Sequence, residues 1–469
     1  MKISLFVFLM LFVGCAVHSP QSVAPPLPVP ASFSEQNSPG VPVERWWEVF
    51  EDPDLNLLME EAFSGNPDLA QAYERFEQSR AVYRNSMAAR KPSVDLKGEW
   101  SRENTPSFFG NNSGNSYILS LAAGFELDLW QKLKSRTMAA GLDMEALREE
   151  IKTLYISLSA RIADLYYLAA EQRAQLKLTE QTIKSYTDIQ SLVEQRYRGG
   201  LVPALDVYQA RQNLFRVRAR RAVLESALRV TEHALSVALG HYPDNKTTGG
   251  LIELPETPAA FPTGLPSELL SRRPDVRAAL LRLKASDARV AVAIAERFPS
   301  FNLLGSYGTS SFAFSTGDII GNFWKILVNL SQPLLDGGRR SAEVDRSRAV
   351  FRENLALYHK VVLNAFQEVE DALVRNRTSE ERITHLQEQA KAAGSALRLS
   401  QARYIQGLSG YLPVLIAQTL YFDTQSQLLT ARRQLISDRI TLARALGGEW
   451  MEDEIQDRLT VNNHKGGGS

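Results

Sequence analysis

Six histidines and a single cysteine are the soft-metal ligands this 469-residue chain has to offer. His18, His233, His241, His359, His385 and His464 fall in no metal-ligand spacing, and Cys15 has no second thiol beside it. No nucleophile elbow and no Walker-type loop occurs. Asp336-Gly337-Gly338-Arg339 has the glycines of a phosphate-binding turn, but its place between a strand and a helix reads as turn plus cap. No catalytic residue, cofactor or metal is therefore expected, and the chain does not read as an enzyme. The chemistry the sequence does offer lies at Cys15. Lys2 precedes the apolar run Ile3 to Val13, and Phe12-Val13-Gly14-Cys15 has the form of a bacterial lipobox. Residues 1–14 are expected to be an export signal and Cys15 to be acylated, with Ala16 directing the product to the outer membrane.

The totals narrow the setting. With 53 basic and 53 acidic residues the net charge is zero, so nothing points to nucleic acid. Hydrophobic residues make up 44%, yet after residue 14 no apolar run approaches the roughly 18 of a membrane-spanning helix. A β-barrel remains open, since its strands are short and alternate. The lone cysteine forbids an internal disulfide. Residues 15–52 read as a lipid-anchored extension, with seven prolines between 19 and 43.

The remaining chain is written twice. Arg196-Tyr197-Arg198-Gly199-Gly200-Leu201 returns 207 residues later as Arg403-Tyr404-Ile405-Gln406-Gly407-Leu408 (407 − 200 = 207). Asn66-Pro67-Asp68-Leu69 returns as Arg273-Pro274-Asp275-Val276. Ungapped, 66–98 on 273–305 gives 12 identities in 33, and 196–240 on 403–447 gives 13 in 45. The chain is an internal duplication. A first repeat spans 53–240, with a strand pair at 93–129 and a hairpin tip at 199–203. A Pro-rich connection covers 241–266. The second repeat spans 267–448, with a strand pair at 299–335 and a tip at 407–410. A flexible tail is expected at 449–469.

Within each repeat the period changes from helical to two. Val94, Leu96, Gly98 and Trp100 alternate with polar residues, and after an expected loop at 102–116 so do Tyr117, Leu119, Leu121, Ala123, Phe125, Leu127 and Leu129. Phe301–Tyr307 and Phe323–Leu335 repeat the pattern across an expected loop at 309–321. Runs of about ten alternating residues suit tilted membrane strands, and Trp100, Trp130 and Trp324 are expected at membrane interfaces near strand ends. Periodicity alone leaves a soluble strand pair packed on helices open. Four strands cannot close a barrel, so if they cross a membrane several chains must share one. From Leu133 to Arg198 and from Arg339 to Gln406 run proline-free helical stretches of roughly 100 Å each at 1.5 Å per residue. Phe351, Leu355, Tyr358, Val362, Phe366, Val369 and Leu373 form a heptad-like seam. An antiparallel coiled coil and a hollow helical tube fit that pattern equally.

Taken together, Trp46-Trp47, Asn66-Pro67-Asp68-Leu69, Phe125-Glu126-Leu127-Asp128-Leu129-Trp130, Leu265 through Asp275, Gln332 through Gly338, Arg403-Tyr404 with Gly407, and Ala445-Leu446-Gly447-Gly448 resemble the TolC-like outer membrane efflux lipoproteins. The resemblance covers nearly everything past residue 44. It implies a mainly α fold with a small β part: a homotrimer whose long helical hairpins form a periplasmic α-barrel, joined to a shared 12-stranded β-barrel with four strands per chain. It implies a passive conduit docked to a periplasmic adaptor (membrane fusion) protein and an inner-membrane pump, seated in outer membrane lipid. By position, Gly200, Leu201, Val202, Gly407, Leu408 and Ser409 become the adaptor-docking tips, and Asp206 and Tyr404 a latch between neighbouring hairpins. Many members carry acidic residues just after the second tip. Pro413 and Ile416 stand there instead, so an apolar constriction is expected around Leu412, Pro413 and Ile416. The alternative is a lipid-anchored coiled-coil scaffold or adhesin, which has no use for such long strand alternation.

Overall fold

The computed structural model describes residues 18–19, 21, 25, 28–35, 44–107, 110–243, 251, 253–256, 258–259, 261–314 and 317–466. Cys15 and the expected signal 1–14 lie outside the described residues. A 3₁₀ turn at Trp46–Phe50 leads into α1 (Pro53–Gly65) and α2 (Pro67–Ala88). Each helix starts with Pro at its first position behind a carbonyl-bearing cap. Asp52 accepts from the amides of Asp54 (3.1 Å) and Leu55 (3.2 Å), and Asn66 from those of Asp68 (2.9 Å) and Leu69 (3.2 Å). Then come β1 (Ser93–Ser107), β2 (Gly110–Leu127), α3 (Lys132–Arg198) and α4 (Ala204–Ala238). The second repeat supplies α5 (Pro266–Arg272), α6 (Pro274–Ala295), β3 (Ser300–Phe314), β4 (Gly317–Ser331), α7 (Arg339–Ile405) and α8 (Tyr411–Leu446), and α9 (Glu452–Gly466) follows. Asp336 accepts from the amides of Gly338 (3.2 Å) and Arg340 (3.3 Å) at the start of α7, so Asp336-Gly337-Gly338-Arg339 is a turn and cap. Asp128 does the same for α3, accepting from Leu133 (3.0 Å) and Lys134 (2.8 Å).

The chain forms two compact units. One holds Tyr73–Glu149 and Arg277–Val361, including the whole sheet; the other holds Leu27–Ala72, Glu150–Val276 and Val362–Ser469. The sheet is antiparallel in the order β1-β2-β3-β4, so the two repeats join at β2–β3 and leave β1 and β4 as edges. Register puts the alternating apolar residues in common rows: Leu96 opposite Leu121, Trp100 opposite Tyr117, Leu121 opposite Tyr307, Tyr307 opposite Trp324, Leu303 opposite Val328. That face stays exposed, from Val94 and Leu96 to Ile326, Val328 and Leu330. The other face carries Asp95, Lys97, Glu99, Lys325 and Asn329. There β2 and β3 approach so closely at Gly308 that a Cβ would lie 2.2 Å from the Leu119 carbonyl oxygen.

The strands outrun their expected bounds. The segments 102–116 and 309–321, expected as loops, are mostly ladder, because an Asn/Ser/Gly-rich strand pairs its backbone as well as an apolar one does. Trp100 and Trp324 consequently sit mid-strand. Trp100 still marks the top of the apolar rows, since Arg102 and Asn104 follow it on the same face. Trp130 also has partners within the chain. It is half-buried, its indole Nε1 donates to the Pro299 carbonyl (2.7 Å), and it stacks on Phe298 at 4.8 Å, fastening the sheet's base.

In the second unit the duplication extends to side-chain contacts. Asn66 donates to the Ala238 carbonyl at 2.8 Å; its counterpart Arg273 donates to the counterpart carbonyl, Ala445, at 3.0 Å. Both tie the end of a returning helix to the helix that opens its repeat. A second correspondence is inverted in charge. Arg173 on α3 pairs with Glu232 on α4 at 2.9 Å, while 207 residues on Glu380 of α7 pairs with Arg439 of α8. The inversion puts both guanidiniums on α3 and α8, helices that meet along a polar seam (Gln175 to the Ser426 carbonyl, 2.9 Å; Thr430 to Glu171, 2.7 Å; Ser437 to Asp164, 2.7 Å). Each arginine then reaches a carbonyl of the inter-repeat connection: Arg173 to Leu251 (3.3 Å) and Arg439 to Pro258 (3.2 Å). Lys177 adds an ion pair to Glu253 (2.8 Å), and Phe261 is buried. The described part of the Pro-rich connection is stapled down by its backbone at Leu251 and Pro258. Arg173→Glu sets a second carboxylate against buried Glu232, leaving it only the Arg229 guanidinium (3.1 Å), and is expected to cost on the order of 3 kcal/mol of stability. Arg173→Glu with Glu232→Arg is expected to recover part of that, the Leu251 bond staying lost. Thermal unfolding of the single and double variants gives the coupling, and additive losses would refute the pairing.

The tail corrects the sequence reading. Residues 449–469 were expected to be flexible, yet α9 is a helix with Met451 and Ile455 fully buried. Trp450 packs on Trp47 (4.6 Å) and Phe63 (5.2 Å), and Arg458 donates to the Ser64 carbonyl (2.9 Å). A few apolar anchors suffice to hold a polar helix when an aromatic cluster already waits for them.

Candidate functional site: the paired tips

Each long helix of the second unit ends in the same geometry. Leu201 N–H reaches the Arg196 carbonyl and Gly200 N–H the Tyr197 carbonyl, both at 2.9 Å; Leu408 and Gly407 bond Arg403 (2.9 Å) and Tyr404 (3.0 Å) identically. This double closure requires a left-handed residue, and Gly200 (φ 70°) and Gly407 (φ 75°) supply it. It turns the next side chain outward: Leu201 is 72% and Leu408 65% exposed. Gly199, Gly200 and Gly407 are exposed, whereas Val202 and Ser409 are half-buried and Val202 packs on the core below.

That core consists of Ile189, Val193, Val207, Ala210, Tyr404, Tyr411 and Val414. Arg196 binds the two tips together. Its guanidinium lies 4.6 Å over the Tyr404 ring and donates to the carbonyls of Tyr404 and Ile405, the latter at 3.2 Å. These carbonyls end α7, so a cation there also meets the negative end of the helix dipole. The sequence reading passed over Arg196, although its repetition as Arg403, four residues before the tip glycine, was a usable signal. The rings of Tyr404 and Tyr411 lie 6.1 Å apart, and neither phenol oxygen has a hydrogen-bond partner. Burial pushes both phenols up; at Tyr404 the Arg196 guanidinium opposes the rise, and the Asp206 charge is a smaller addition at both. Asp206 sits half-buried in the first turn of α4. Burial pushes its carboxyl up, and it makes no cap bond, the cap being Pro203. Asp206 and Tyr404 are therefore near one another but unbonded within one chain.

Beyond the second tip, α8 starts with Tyr411 buried and Leu412, Pro413 and Ile416 exposed. Leu412 (56%), Ile416 (51%) and Leu420 (56%) follow at intervals of four, one stripe of a helix with no charged member. Leu420 was not anticipated.

Comparison with known proteins gives a consistent result. The family profile described as outer membrane efflux protein matches residues 58–241 and 265–448, the two repeats in turn. The antibiotic efflux pump outer membrane protein ArpC of Pseudomonas putida is 30% identical over 99% of both chains. Outer membrane protein OprJ of Pseudomonas aeruginosa is 32% identical over 98% of this chain and 97% of its own. Among solved structures, the outer-membrane channel OprN superposes with a TM-score of 0.84 at 28% identity, covering 94% of this chain and 99% of the other.

Proposed function

The chain belongs to the outer membrane efflux protein family, and from that premise we propose that three copies form one passive exit channel with its hairpin tips at the periplasmic end. The single observation that carries this is the sheet: a face of exposed apolar rows bounded by two unpaired edges. Unpaired backbone in hydrocarbon costs several kcal/mol per group, so edge β4 of one copy pairs with edge β1 of the next until the ring closes. Twelve strands then form the wall, with Val94, Leu96, Leu121, Trp324 and Val328 towards lipid and Asp95, Lys97, Glu99 and Lys325 towards the bore.

The paired tips carry the docking surface. Gly200, Leu201, Val202, Gly407, Leu408 and Ser409 dock a periplasmic adaptor, which couples the channel to an inner-membrane pump. Leu412, Pro413 and Ile416 line the constriction, Leu420 extends it, and Asp206 meets Tyr404 across neighbouring hairpins. Cys15 carries the lipid anchor. The channel itself performs no catalysis. A coiled-coil scaffold or adhesin leaves the exposed strand rows without a role. The test is reconstitution of the purified full-length protein into planar bilayers, with its mass in detergent measured in parallel. A trimer with discrete conductance steps is expected. A monomer, or a trimer that never conducts, would overturn the reading.

A further inference from the structure

On α6, Leu283, Asp287 and Val290 fall on one buried stripe, and Asp287 is 7% exposed. A carboxylate on an apolar stripe is costly unless its oxygens are bonded. Here both are bonded, and by the beginning of the chain. The His18 imidazole Nε2 donates to Oδ1 at 2.7 Å, and the Gln21 backbone amide donates to Oδ2 at 3.2 Å. His18 is itself largely buried, its side chain 14% exposed. The duplication shows that the site is an addition to one repeat: the counterpart of Asp287 is Arg80 on α2, whose guanidinium pairs with Glu77 of its own helix (3.2 Å).

We propose that Asp287 is the receptor for the first residues of the mature chain and sets where the lipid anchor enters the membrane. The inference rests on acylation at Cys15. His18 lies three residue steps from Cys15, a reach of about 10 Å at full extension. From Asp287 to the end of α6 at Ala295 is eight residues, about 12 Å of helix. β3 starts at Ser300, and its first apolar residue, Phe301, opposite Leu330, opens the exposed rows. A cysteine held on so short a leash delivers its acyl chains beside the base of β3 of its own chain.

Amide exchange in detergent-solubilised full-length protein tests this. With Asp287→Ala the peptide containing Gln21 is expected to exchange at least tenfold faster, while peptides of α3 and α8 keep their rates. Asp287→Asn, which can still accept from the Gln21 amide, is expected to fall between. His18→Ala removes the partner without touching α6 and should reproduce Asp287→Ala if the latter folds poorly. Unchanged exchange at Gln21 in both variants overturns the clasp. Intact mass of the wild-type N-terminal peptide, read in the same samples, reports acylation separately. An unacylated peptide refutes the anchor, with the clasp still judged by exchange.

Discussion

Ile416→Asp is expected to raise single-channel conductance several-fold in planar bilayers and to move the reversal potential towards cation preference. Leu412, Ile416 and Leu420 form an exposed stripe without a charge, starting one turn inside the second tip. In the proposed assembly, three copies around an axis turn that stripe into stacked apolar rings. A narrow apolar ring resists ions by excluding water, whereas a ring of carboxylates holds water and concentrates cations. One substitution changes both properties at once because symmetry makes it three. Ile416→Asn separates them, wetting the ring without charging it, so conductance should rise while selectivity stays put. If Ile416→Asp alters neither quantity, Ile416 does not face the pore.

Leu201→Asp combined with Leu408→Asp is expected to abolish export while leaving bilayer conductance unchanged. These leucines project from turns closed by two backbone bonds each, where nothing among the described residues covers them. Covering each one stabilises a complex by roughly 2 kcal/mol, and a trimer presents six. Placing carboxylates there removes the gain and adds desolvation, so adaptor co-purification should fall more than a hundredfold. Export by cells with the double variant should match that of cells lacking the gene. Retained co-purification would move the docking surface elsewhere.

The repeat frame, the four strands and both tips were legible because each leaves a periodic or duplicated trace. Gly200 and Gly407 stand out in sequence since a left-handed closure admits little else. Strand ends were not legible: beyond Trp100 the ladder runs on through Arg102 to Ser107, where backbone pairing persists after the apolar alternation has stopped. Trp130 reads as an interfacial aromatic from its position, but a carbonyl 169 residues away decides its orientation. The tail helix is invisible for a similar reason, its anchors Met451 and Ile455 being buried by partners that no local pattern announces. Arg173, Glu232, Glu380 and Arg439 were hidden for the opposite reason. A comparison that seeks identities discards the positions where the two halves carry opposite charges, and the two arginines among them bind the connection between the repeats.

The bare margins of β1 and β4 have a genetic consequence. A subunit able to offer one margin but not the other still seats itself beside a sound neighbour, and the ring it joins never shuts. A single damaged allele then spoils complexes made mostly of normal subunits, so lesions along either margin should behave as dominant, while lesions confined to the tips should be complemented by a healthy copy.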